Sequence, residues 1–85
     1  MYATLKQQLT EFSSPVDVRD MTQWTSRELK AEAAKVKADI EEGLLGLDAD
    51  YTVEEAKERG RAVEWALANR KAVAKLSDEE YDDLV

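Results

Sequence analysis

The chain contains no cysteine and no histidine, and these two gaps exclude more chemistry than any motif in it supplies. Without cysteine there is neither a disulfide nor a thiolate metal site, and no redox compartment can be inferred. Without histidine the commonest general base, the side chain that titrates near neutral pH and the usual zinc ligand are all missing. No Ser, His and Asp set can exist, and no glycine-rich phosphate loop occurs among three glycines, Gly43, Gly46 and Gly60. There is no run of roughly 18 apolar residues that could cross a bilayer. The start, MYATLKQQL, has neither the basic head nor the apolar stretch of a signal peptide. The expectation is a cytoplasmic, soluble, non-enzymatic chain with no membrane partner, no cofactor and no assigned catalytic, cofactor-binding or metal residue.

Proline occurs once, at Pro15, while alanine, glutamate, lysine and leucine fill most of the remainder, which is a helical composition. Eighty-five residues make a single domain, 1–85. A chain of this size buries only about 60 to 65 per cent of its unfolded surface, so its core is small. The net charge is −7, and the acidic C-terminal tail 77–85, with five acids and no base, holds −5 of it. The body is therefore nearly balanced. A DNA mimic would instead spread carboxylates along the body at phosphate-like intervals.

Three short stretches share one order of residues: WTSREL (24–29), YTVEEA (51–56) and LSDEEY (76–81). Each places Ser or Thr three residues before Glu, between flanking large or apolar side chains. That is a capping box with a hydrophobic staple, a helix-start instruction. The copies are not a solenoid repeat, because the likeness stops at the caps.

Around these starts the apolar spacing predicts an all-α fold. An antiparallel hairpin of helices at about 25–45 and 52–76 is expected, with a short N-terminal helix at about 2–12 and a short C-terminal helix at about 78–84. The N-terminal helix shows Tyr2, Leu5, Leu9 and Phe12 on one face. Ser14 and Pro15 suit an N-cap and first position, so a further helical turn is expected over 15–23. The first hairpin helix carries Leu29, Ala33, Val36, Ile40 and Leu44 in one stripe, opposite Ala31, Ala34, Ala38 and Leu45. The second has a core face of Ala56, Gly60, Val63, Ala66, Leu67 and Ala74.

The second hairpin helix also carries an opposite stripe, Trp65, Ala68, Ala72 and Leu76. A surface helix of a small domain needs only one apolar stripe. Either the short helices cover the extra one within the chain, or it meets a homo-oligomer or protein partner around Trp65, the residue type that most often anchors such surfaces. Arg59 and Arg70 fall near the middle of the core face. They must reach its edge, pair with carboxylates such as Glu32 or Asp39, or contact an acidic partner. Lys57, Arg61, Lys71 and Lys75 flank Trp65, and Arg61 could stack on it. A nucleic-acid strip needs more positive charge than this chain has, so no direct nucleic-acid binding is expected.

The stretch DADYTVEEAKER begins like a calcium loop with Asp48, Asp50 and Thr52, but Val53 stands where glycine is required and Arg59 where glutamate is required. The layout as a whole, with MYATLKQQL, the SSPVDV break, ERGRAVEWALANR and the acidic end, resembles the small acidic helical accessory proteins of T7-like bacteriophages. That resemblance implies an assembly component or a modifier of host machinery, acting in the host cytoplasm. Two functions are therefore carried forward. One is a protein-protein interaction module using Trp65, Ala68, Ala72 and Leu76, with Arg59 and Arg70. The other is an acidic inhibitor that occupies a nucleic-acid-binding site on a host protein through Asp78, Glu79, Glu80, Asp82 and Asp83.

Overall fold

The computed structural model describes residues 2–42 and 53–85. It contains helices α1 (Tyr2–Leu9), α2 (Pro15–Met21), α3 (Ser26–Glu42), α4 (Val53–Ala74) and α5 (Asp78–Asp83), and no strand among the described residues. The most extensive packing is α3 on α4, followed by α2 on α4 and α1 on α2. The hairpin and its short flanking helices are thus the expected all-α architecture.

The helix starts are built by the side chains that the spacing singles out. Glu28 N–H donates to Thr25 Oγ1 at 3.1 Å while Thr25 N–H donates to Glu28 Oε1 at 3.0 Å, closing a capping box ahead of α3. The same pair of bonds joins Ser77 and Glu80 ahead of α5, at 3.2 and 3.1 Å. Accepting the Thr25 backbone N–H, and secondly its side chain, holds the Glu28 carboxyl below the usual carboxylate range. The third copy depends on Tyr51 and Thr52, which lie outside the described residues, as do Leu44 and Leu45.

Helix ends are shorter than expected, for one reason in each case. The N-terminal helix stops at Leu9 rather than residue 12 because the backbone tightens: Glu11 N–H and Phe12 N–H donate three residues back, to Gln8 and Leu9. The Thr10 hydroxyl also takes the Gln7 carbonyl at 2.6 Å. At the end of α4, Lys75 and Leu76 N–H likewise bond three residues back, to Ala72 and Val73, so the helix closes at Ala74 rather than 76. Ser14 occupies the position before Pro15, yet its side chain caps nothing. Its neighbour Ser13 is the residue held: both its N–H and its hydroxyl donate to Glu58 Oε1 on α4, at 2.7 and 2.6 Å.

The main core joins Leu5 and Leu9 of α1, Val18 and Met21 of α2, Leu29 of α3, Ala62, Val63, Ala66 and Val73 of α4, and Leu84 just beyond α5. A satellite of Val36, Ala56 and Ile40 closes the other part of the hairpin. On α4 the buried set is Ala56, Ala62, Val63, Ala66 and Val73. Ala74, assigned to the core face by spacing, is exposed, and Leu67 and Gly60 are half-buried. The face is wider than one stripe because α2 and α3 both pack on α4, which recruits Ala62 and Val73.

Gly60 sits mid-helix, and a Cβ added there would meet Val36 Cγ1 at 3.7 Å, an ordinary contact distance. Glycine in a helix interior costs about 0.5–1 kcal/mol relative to alanine. Gly60→Ala is expected to stabilise the fold by that amount, read as a higher urea midpoint with an unchanged slope. In the opposite direction, Thr25→Ala should cost about 1 kcal/mol in the same assay through loss of the cap.

Candidate interaction surfaces

Trp65 is half-buried, because α1 lies beside it: its indole N–H donates to Gln8 Oε1 at 2.7 Å. The Trp65 carbonyl also accepts the Asn69 side-chain amide at 2.8 Å. Ala72 and Leu76 are half-buried against the main core, while Ala68 is exposed. The stripe Trp65, Ala68, Ala72 and Leu76 is therefore covered in part from within the chain and open in part.

The two arginines resolve differently. Arg59 Nε donates to Glu32 Oε1 at 2.7 Å, the cross-hairpin pairing that helical geometry suggested. Arg70 finds no helix-α3 carboxylate and instead donates from Nε to the Trp24 carbonyl at 2.7 Å, where the chain turns from α2 into α3. Both side chains are thus engaged within the fold. Arg61 does not stack on Trp65; the cation–aromatic pair among the described residues is Arg19 over Tyr81, 4.5 Å from the ring centroid.

The acidic tail folds as α5 onto α1 and α2. Leu84 is 1 % exposed. Asp83 accepts from the Tyr2 hydroxyl at 2.5 Å and from Lys6 Nζ at 3.4 Å. Tyr81 donates its hydroxyl to Asp20 Oδ1 at 2.7 Å, and its carbonyl accepts Arg19 Nη1 at 3.4 Å. These five carboxylates consequently separate into two sets. Glu80 and Asp83 are consumed in holding α5. Asp78, Glu79 and Asp82 are exposed, with no hydrogen bond or ion pair to them among the described residues.

This network shifts the groups in it. The hydrogen bond to Asp83, with burial and the nearby negative charge adding to it, pushes the Tyr2 phenol up to about 12. The bonds from Tyr2 and Lys6 draw the Asp83 carboxyl below its ordinary range. Glu58 is lowered chiefly by the Ser13 hydroxyl and secondly by its N–H. Tyr81 is raised by burial first and by its bond to Asp20 second.

Sequence reading missed the Glu58, Asp83 and Tyr81 linkages because each joins residues 45 to 81 positions apart. Local spacing carries no signal for such pairs. A cleft of about 490 Å³ separates the ends of α2 and α4 from α5, with Gln23, Arg70, Lys71, Leu76 and Tyr81 among its lining. Among the described residues there is no cluster of acids able to hold a metal ion, and no helix long and apolar enough to cross a membrane. Comparison with protein-family models, with curated proteins and with solved structures finds no match for this chain.

Stability should fall at both ends of the pH scale. Depressed carboxylates such as Asp83 and Glu58 stabilise the fold above about pH 4, and that contribution is lost as pH drops through their folded values. The raised Tyr2 phenol stabilises below about pH 10, and that contribution is lost as pH climbs towards about 12. In melting temperatures recorded by circular dichroism against pH, Tyr2→Phe should flatten the alkaline fall, and Asp83→Asn should flatten part of the acid fall.

Proposed function

We propose that the chain is a non-enzymatic protein-protein interaction module, of the kind an assembly component or a phage-type modifier of host machinery would be. The observation that carries this reading is the open edge of α4: Trp65 is held by Gln8 at 2.7 Å and only partly buried, next to exposed Ala68. An aromatic side chain already fixed before binding loses little freedom when a partner arrives. A small neighbour lets a second helix approach closely. The bonds made by Arg59 and Arg70 within the fold give them a supporting part in this reading, stiffening α4 against α3 and the α2–α3 turn.

Ala68→Glu tests the surface without touching the core, because Ala68 is exposed. Its melting temperature should match that of the wild type, while its capture of partners from host lysate, or the affinity with which it self-associates, should fall at least about tenfold, as expected for a charge placed in an interface centre. Unchanged capture and unchanged self-association would remove α4 from the account.

A second reading, the acidic inhibitor of a nucleic-acid-binding site, is supported by Asp78, Glu79 and Asp82, three exposed carboxylates on a helix whose position is already set. Deleting 77–85 cannot test it, since that would strip Leu84 from the core. Binding to a basic host protein should weaken steeply with salt, and neutralising Asp78→Asn, Glu79→Gln and Asp82→Asn together should abolish it. Binding that is insensitive to salt and survives these changes would argue for the α4 surface instead.

A further inference from the structure

The docking of α5 has the composition of a bound peptide rather than of a solvated chain end. The segment is six helical residues long, well short of the about 12–15 that an isolated helix needs, so its shape depends on its seat. The seat recognises it residue by residue. Asp20 takes the Tyr81 hydroxyl, Arg19 covers the Tyr81 ring, and Tyr2 and Lys6 hold Asp83. Leu84 fills the apolar hole at 1 % exposure. Lys6 of α1 pairs with one acid of a tail that holds five and no base, while Arg19, itself paired with Asp20, meets the Tyr81 ring and carbonyl.

We propose that this seat is a recognition site for a short acidic helix of the pattern Tyr-Asp-Asp-Leu, filled in cis by α5 and filled in trans by the α5 of a second copy. The site is separate from the α4 edge discussed above and does not depend on it. The second copy is the favoured occupant because it presents the same side chains to the same seat, so an exchanged pair keeps all the α5 bonds and loses only the freedom of two separate chains. The connection from Ala74 to Asp78 is three residues, and its backbone bonds at Lys75 and Leu76 are single three-residue turns, a short hinge able to redirect α5. A tether this short gives the cis arrangement an effective concentration of roughly millimolar, so exchange becomes appreciable as the chain approaches that concentration.

Charge exchange across the seat tests the proposal. Lys6 and Asp83 have side chains 47 % and 67 % exposed, so reversing either leaves the core intact. In Asp83→Lys the latch repels its own seat, and in Lys6→Asp it does so with the opposite sign. Mixed in equal amounts near millimolar concentration, each latch finds an opposite charge only on the other chain, or returns to the native pair. The mixture should associate about tenfold more strongly than either variant alone, measured by light scattering on a sizing column. A mixture as monomeric as its components, or components that dimerise equally well alone, would overturn the assignment. The wild-type chain supplies an independent readout. Isotopically heavy and light copies, mixed at the same concentration and joined with a zero-length amine-carboxyl crosslinker, should give mixed-isotope Lys6–Asp83 links. Links confined to single copies would contradict exchange.

Discussion

The narrow core of α4 is the constraint from which the rest of the molecule follows. Ala56, Ala62, Val63 and Ala66 are buried on it, all small, and α2 and α3 both approach it. Small side chains let helices come close, but each contributes little apolar area at about 25 cal/mol per Å². No aromatic residue is fully buried among the described residues, and the largest fully buried side chains are Leu9, Leu29, Leu84 and Val63. A core so limited cannot leave apolar residues of the chain ends unused. It draws in Leu5 and Leu9 from one end and Leu84 from the other.

That requirement explains why the most acidic part of the chain folds. Burying Leu84 places five carboxylates beside α1 and α2, where unfavourable charge must be offset locally. Glu80 is turned back onto its own helix start, and Asp83 is given a phenol and an ammonium. The remaining three carboxylates face water, where their charge costs little. The same economy operates at the opposite corner. Glu58 of α4 holds the turn after α1 by accepting both donors of Ser13, supplying an anchor that the Ser14 side chain does not.

Much of this was legible in the sequence where the determining interactions are local. The capping boxes at Thr25 and Ser77 join residues three apart, and periodicity placed Leu29, Val36, Ala56, Val63 and Ala66 inside. The Arg59–Glu32 pair was accessible because two helices packed antiparallel bring such positions together. Arg70 takes none of the partners that spacing offered it, a carboxylate or an acidic partner, but a carbonyl, since the tight turn at Trp24 leaves an acceptor that no helix pattern reveals. The tail was expected to form a short helix, but its run of like charge gives no sign of where that helix docks. Only the three-dimensional position of Tyr2, Lys6, Arg19 and Asp20 makes it a docked helix. For the candidate surfaces the lesson is similar: spacing identified the stripe through Trp65, but not that Gln8 of α1 would hold the indole in place.

The docking of the C-terminal helix holds both chain ends on one core, and nuclear Overhauser effects in solution test it directly. Cross-peaks are expected from the Tyr81 ring to the Arg19 side chain, from Tyr2 ring protons to the Asp83 methylene, and from the Leu84 methyls to core side chains, together with helical chemical shifts through 78–83. Random-coil shifts over that segment, with no long-range effects from Tyr81 or Leu84, would contradict it.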